Sequence, residues 1–425
     1  MKARSRMRLS IAAAWMALAF SPVSQGQEVA LGAHLEGLLQ LAKENNPELA
    51  GMRFEADAAA QRVLPAGALP DPKFSMELRD LTRMGERNPT LLPGRVGSTR
   101  YLLTQELPWF GKRGLKRETA ELQAEAARGR VTGTWSELAA RIKTTYAQLY
   151  YLDQNERLTQ EILDLMARLE KVAQVRYGSG LAAQQDVIRA QLEQTTMRNE
   201  LIALEAERSQ LQARLKALVG RHASEALATP ERIRALPAPE IMQFDALEQR
   251  ARASNPLLRT EESQIRAAEK NRELTYKNRY PDFAVGVSPI QYGKSIREWE
   301  LMVEVTIPLQ QDTRRAQERE AQAMLEAARS RRDVASNQVL ADLYENLAGL
   351  EAARRTLALT TESLLPQSEL TYRSALAGYE SGKVDFATLL DAQRQIRQAK
   401  LNQVKAGVAA QTRLADIERI IGEEL

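Results

Sequence analysis

Side chains that most often carry chemistry are sparse in this 425-residue sequence. It has no cysteine and only two histidines, His34 and His222, far apart along the chain. Neither a Cys/His zinc set nor a thiol nucleophile is available. Carboxylates are plentiful, but none has the spacing of an acid/base pair. Tyr177-Gly-Ser-Gly180 imitates a phosphate loop without the Lys-Ser/Thr and the preceding strand that such a loop needs. The methionines are scattered, so no Met-type copper site is visible. Neither an enzyme nor a cofactor is expected. What remains is the charge of the carboxylates themselves. Carboxylates gathered in one place repel one another and attract cations. Spread on a solvated face, or at a helix N-terminus where the dipole favours them, they do neither.

The elements that position these residues are read from punctuation. No proline occurs between Pro108 and Pro230, and only Pro366 follows Pro308. The stretch from Trp109 to Tyr177 is therefore expected to be one helix of about 100 Å. Glycines 178 and 180 break it, glycines 378 and 382 break its counterpart, and another long helix follows each break. Leu201, Leu204, Leu211, Leu215 and Leu218 follow heptad spacing with Arg208 in one seam position, a coiled-coil stripe. Elsewhere the period changes to two. Trp299, Leu301, Val303, Val305 and Ile307 alternate with polar residues, and so do Phe74, Met76 and Leu78. Each half is expected to hold two strands of about 9–11 residues, long enough to cross an outer membrane when tilted.

The halves are copies. Asn46-Pro47 recurs as Asn255-Pro256, Pro70-Asp71 as Pro281-Asp282, Leu107-Pro108 as Ile307-Pro308, Tyr177-Gly-Ser-Gly180 as Tyr379-Glu-Ser-Gly382, and Gly220 as Gly422. The expected division is a signal peptide at 1–26, a first repeat at 27–220 with its hairpin near 73–107, a linker at 221–239, and a second repeat at 240–425 with its hairpin near 283–308. Four strands are too few to close a membrane barrel, for which about eight are needed. Their edges must be paired by other chains if they enter lipid.

Lys2, Arg4, Arg6 and Arg8 before the apolar run Ile11 to Phe20, with Ser24-Gln-Gly26 as cleavage site, predict that signal peptide. The 59 Lys and Arg less these four balance the 55 Asp and Glu, so the mature chain is near neutral and no nucleic-acid partner is expected. Aromatics at 5% and a mean hydropathy of −0.41 exclude a helical membrane protein. Without cysteine no N-terminal lipid anchor is expected.

Gln105-Glu-Leu-Pro-Trp-Phe-Gly-Lys-Arg113, Tyr177 to Leu181 with Asp186 to Gln191, and Tyr379 to Gly382 with Leu390 to Gln393 together resemble the TolC-like outer-membrane efflux factor family. The resemblance covers nearly the whole mature chain. Ala68 to Phe74 and the Pro-Trp-Phe-Gly-Lys-Arg stretch look most like the heavy-metal branch, the copper/silver or cobalt/zinc/cadmium type. The resemblance implies a mainly α, α+β fold of two tandem repeats, with long coiled-coil helices and one β-hairpin each. It implies assembly as a homotrimer with a transmembrane β-barrel and a periplasmic α-helical barrel. It also implies an outer-membrane location, a periplasmic adaptor, an inner-membrane RND-type pump, and passive conduction of heavy-metal cations. A channel for drugs or secreted protein, or a non-channel periplasmic coiled-coil scaffold, is the alternative. Within the resemblance Asp391, Asp186, Asp385 and Tyr379 match a pore constriction, and Gly180, Leu181 and Gly382 match the tips that meet the adaptor. Three copies of one carboxylate near an axis would favour cations. Val384 stands where some members carry a basic latch residue, so the closed state is expected to be held differently.

Overall fold

The computed structural model describes residues 33–86, 88–222 and 227–425. The expected signal peptide lies outside them, as does part of the expected linker. The first series of elements is α1 (Leu35–Asn45), α2 (Pro47–Gln61), α3 (Val63–Gly67), β1 (Lys73–Arg79), β2 (Ser98–Leu107), α4 (Lys112–Gly178) and α5 (Gln184–Leu218). A 3-10 turn (Pro239–Met242) leads to α6 (Phe244–Ser254), α7 (Pro256–Lys277), β3 (Asp282–Tyr292), β4 (Ser295–Thr306) and α8 (Gln311–Leu359). A π turn (Thr360–Leu364), α9 (Leu365–Glu380) and α10 (Phe386–Ile421) complete the chain.

Helix α4 runs for 67 residues without interruption. It starts three residues later than the sequence suggests, because Gly111 takes a left-handed φ of 85° and turns Trp109 and Phe110 off the helix axis. Its counterpart is split by the π turn just before Pro366, where the missing N–H and the ring break the regular ladder. On α5, Leu204 and Leu215 are buried against α4, and the seam residue Arg208 pairs across it with Asp153 and Glu156.

Two landmarks of each half touch each other. Asn46 Oδ1 accepts from the Leu49 N–H at 2.9 Å to cap α2, while its Nδ2 donates to the Leu218 carbonyl at 2.8 Å. Asn255 repeats this with Leu258 at 3.0 Å and Ile420 at 2.7 Å. The glycines ending the return helices, Gly220 and Gly422, both have φ of 73°. A Cβ on them would lie 2.4 Å from the Asn45 carbonyl and 2.9 Å from that of Ser254. Only glycine satisfies both demands.

The four strands form one antiparallel sheet in the order β1-β2-β3-β4, open at β1 and β4. Register aligns Phe74 and Met76 with Leu103 and Tyr101, then Leu103 and Leu107 with Val287 and Phe283, then Val287, Val285 and Phe283 with Leu301, Val303 and Val305. One face is thus apolar across all four strands. The other carries Glu77, Glu106, Asp282, Glu298, Glu300 and Glu304 against Lys73, Arg79 and Arg100. Strand β1 has seven residues, fewer than expected, because Asp80 turns the chain with a φ of 55° and its carbonyl receives the Gly97 N–H at 2.9 Å.

Among the described residues three apolar cores hold the helices. One packs Leu38, Leu49, Leu138, Ile142, Tyr146 and Leu215, and a second packs Leu247, Leu258, Leu343, Leu350, Leu414 and Ile417. These are the equivalent cores of the two halves. The third draws on both, with Met166 and Met197 against Tyr379, Phe386 and Leu389. Among the described residues no helix is long and apolar enough to cross a membrane.

Candidate functional site at the far end of the helical hairpins

The third core lies at the end of α4 away from the sheet, where both helical hairpins turn. Each turn closes in the same way. Gly180 and Gly382 have φ of 73°, and the next amides, Leu181 and Lys383, donate back at 2.8 Å to the carbonyls of Arg176 and Gly378. This six-to-one bond consumes a helix-terminal carbonyl that would otherwise be unpaired. Gly178 and Gly378 do not break the helices. Gly178 is the last residue of α4, and Gly378 sits inside α9, where an added Cβ would lie 2.3 Å from Val384 Cγ2. Val384 therefore packs on the bare backbone of the preceding helix.

Tyr379 is 2% exposed, its ring 5.3 Å from that of the fully buried Phe386. Arg176 crosses from the first half to the second. Its guanidinium lies 5.0 Å over the Tyr379 ring, and its Nη1 donates to the carbonyls of Tyr379 at 2.6 Å and Glu380 at 3.3 Å. Among the described residues the buried Tyr379 hydroxyl has no hydrogen-bond partner, and burial together with the nearby Asp186 carboxylate pushes its pKa up. Burial likewise raises the Asp186 pKa, with Asp385 adding to the rise while Arg189 and Arg176 oppose it. Asp385 behaves otherwise. It caps α10, accepting from the Thr388 hydroxyl at 2.6 Å and the Thr388 N–H at 2.8 Å, and these bonds hold its pKa down.

Asp186, Tyr379 and Asp385 are thus brought into one cluster. Asp391 is not part of it: six residues beyond Asp385 on α10, or about 9 Å, it is exposed and accepts from Gln395 at 2.8 Å. Leu181 is 70% exposed, and a Cβ on Gly180 would meet nothing. Arg176, Phe386 and the Gly378–Val384 contact escaped the sequence reading. Asp385 could have been recognised as a cap from Asp-Phe-Ala-Thr388. Nothing local indicates where Arg176 reaches, because its carbonyl partner is 203 residues away. Among the described residues no group of three or more His, Asp or Glu is placed to hold a metal ion.

This architecture is shared. Residues 38–221 and 247–423 match the outer membrane efflux protein family, one match for each half. The chain is 25% identical over 403 residues to the cobalt-zinc-cadmium resistance protein CzcC of Cupriavidus metallidurans, covering 91% of this chain and 90% of that one. Its fold matches crystal structures of CusC with a TM-score of 0.79 at 15% identity, over 93% of both chains. It matches the outer-membrane channel OprN with a TM-score of 0.77 at 19% identity, over 91% of this chain and 89% of that one. The chain belongs to the outer membrane efflux protein family, and is an outer-membrane protein whose long helices extend into the periplasm.

Proposed function

We propose that three copies of this chain join through the free edges of β1 and β4 into one transmembrane barrel, the outer-membrane duct of a tripartite efflux pump. The observation that carries this is the sheet. Trp299, Leu301 and Val303 are 70%, 79% and 64% exposed on an apolar face that continues across all four strands. In water that face would be a liability; in lipid it is favoured, provided the open edges find partners. A periplasmic scaffold would leave it uncovered. The opposite face has twice as many carboxylates as cations and suits a water-filled lumen.

The cargo in this reading is a heavy-metal cation, supported by the similarity to CzcC and by the acidic polar face. It passes without being held, driven by an inner-membrane RND-type pump through a periplasmic adaptor. Gly180, Leu181 and Gly382 form the adaptor-facing tip, supported by the exposure of Leu181 and the open space at Gly180. Asp391 contributes free charge to the constriction. Asp186, Tyr379 and Asp385 set its closed geometry, Asp385 mainly by capping α10. Single-channel conductance in a planar bilayer tests this, comparing wild type with Asp391→Ala. Cation-selective steps whose selectivity falls in the variant are expected. Unchanged steps would remove Asp391 from the path, and a folded barrel with no conductance under any condition would sink the channel reading.

A further inference from the structure

Helices α2, α4, α7 and α8 stand side by side in the order of the strands they adjoin. A cavity of about 530 Å³ touches all four, with Arg62 of α2, Arg130 of α4 and Arg331 of α8 at its wall and Gln264 and Asn271 of α7 between them. A hollow that reaches both outer members of a row lies on the concave side of that row. The opposite side is taken by the short helices. Leu38 of α1 shares a core with Ile142 and Tyr146 of α4, and Leu247 of α6 shares one with Leu343 and Leu350 of α8. At about 100° per residue those side chains are turned about 100–160° from Arg130 and Arg331. Along α4 the cavity begins about 10 Å from the start of the helix, at Thr119, and reaches Arg130 at about 27 Å. When the sheet closes into a barrel, the concave side of the row faces the lumen.

The lining of this cavity holds three arginines and no carboxylate. Among the described residues none of the three makes an ion pair or a side-chain hydrogen bond, and the amides of Gln123, Gln264 and Asn271 are equally unengaged. By contrast, Arg117 pairs with Glu121 at 2.8 Å, Arg266 with Glu125 at 2.7 Å and Arg329 with Glu269 at 3.2 Å on the same helices. Carboxylates stay outside the lining. Glu261 and Glu320 lie about one turn from it, and Glu137 and Asp342 border the next hollow along the row, which Arg130 also touches. Between the arginines the wall is apolar, formed by Ala120, Ala126, Ala267, Ala268 and the half-exposed Met324. Cations and amide donors thus surround an apolar floor, in a space the size of a small-molecule site.

We propose that this cavity is a binding site for an organic anion, a carboxylate or sulfonate carried on an apolar body. The guanidinium forks of Arg62, Arg130 and Arg331 match the paired oxygens of such a group, and the alanine floor with Met324 takes the body. Repeated in three copies around an axis, the site makes this level of the lumen attract anions, opposite in sign to the carboxylate-rich polar face of the sheet. A cation gains nothing here, so the anion is a second ligand of the duct and not a part of the cation path. The place of the site in the lumen rests on the closure proposed above; the binding itself does not.

The test uses the full chain, purified in mild detergent and exchanged into nanodiscs, with heat-modifiable migration to report that the barrel is formed. Equilibrium dialysis reads the binding of naphthalene-1-sulfonate per chain, against empty nanodiscs and against the uncharged isostere naphthalene-1-sulfonamide. Saturable binding of the sulfonate is expected, with the sulfonamide roughly tenfold weaker or worse. Combined Arg62→Gln, Arg130→Gln and Arg331→Gln substitution should weaken the sulfonate roughly thirtyfold, and Arg130→Lys should keep most of its affinity. Arg128→Gln removes a cation about 160° away on α4 and should change nothing. Equal binding of sulfonate and sulfonamide, unchanged affinity in the folded triple variant, or a comparable loss in Arg128→Gln overturns the proposal. Methanesulfonate competing as well as the naphthalene compound also overturns it, by assigning the cavity to small oxyanions. Intact binding in a protein that never conducts would count against the duct alone, and conduction without binding against this site alone.

Discussion

Arg176 grips Tyr379 twice, with its guanidinium 5.0 Å over the ring and a 2.6 Å hydrogen bond to the carbonyl of the same residue. The grip joins the end of α4 to the end of α9, so one side chain fastens the tip of the first repeat to the tip of the second. Val384 packs on the Gly378 backbone, and the cation that holds Tyr379 comes from the other hairpin. Arg176→Ala should cost the tip about 2–3 kcal/mol, the scale of hydrogen bonds to a charged donor. Hydrogen exchange at residues 379–385 should accelerate, and conducting events in a bilayer should become several-fold more frequent. Arg176→Lys should fall between, because it keeps the charge without the planar fork.

The two tip aspartates respond to pH with opposite sign. Asp385 has a lowered pKa in the fold, so its stabilisation is full above 3.8, the unfolded value, and is lost as pH falls through the folded value. Asp186 has a raised pKa, so its charged form opposes the fold at neutral pH, and that cost is relieved as pH falls toward 3.8. Mild acid should therefore raise protection around residues 183–189, taken relative to the intrinsic exchange rate at each pH, before stronger acid releases the cap of α10. Asp186→Asn should give the higher protection already at neutral pH and abolish the first phase. An unaltered acid response in that variant would remove Asp186 as its source.

Far from the tip, Lys143 and Glu418, 7% and 4% exposed, pair at 2.9 Å. Burial alone would raise the Glu418 pKa, but Arg234 and Lys143 outweigh it and hold the group below its usual value. Its contribution is present above pH 4.5 and lost as pH falls through the folded pKa. Glu418→Ala leaves the Lys143 ammonium buried with only the exposed Glu424 in reach, and should cost about 3–5 kcal/mol in denaturant unfolding. Replacing Lys143 by Met at the same time should recover part of that loss.

The two faces of the sheet should tolerate charge differently. Leu301→Lys on the apolar face is expected to cost about 2–4 kcal/mol of barrel stability near the membrane midplane. Glu304→Lys on the polar face should leave heat-modifiable migration intact and shift ion selectivity away from cations. Equal damage from both would contradict the assignment of faces.

Much of this was legible because the informative signals are local. Alternation fixed which strand residues share a face, since the pleat has a period of two. The Asn-Pro pairs, read as landmarks of the repeat, stand at helix starts, where a cap and the fixed φ of proline act within a few residues. The contacts that determine the site were not local. Arg176 meets Tyr379 across 203 residues, and Lys143 meets Glu418 across 275. Residue type alone gave Gly378 the wrong role: a glycine that ends a helix and one that admits Val384 look alike until the neighbouring backbone is placed. Asp385 was read for its charge, whereas its oxygens are occupied by Thr388.

Lys143 lies near the middle of α4, 35 residues before Gly178, and is pinned there to α10 by Glu418. An unbroken helix held at its midpoint is a lever. With about 50 Å of rigid arm beyond the pin, a tilt of roughly 5° there carries the tip sideways by about 4 Å. A force at the tip acts through that whole arm and one near the pin through little of it, so the tilt needs least force at the hairpin turns and unwinds no helical turn.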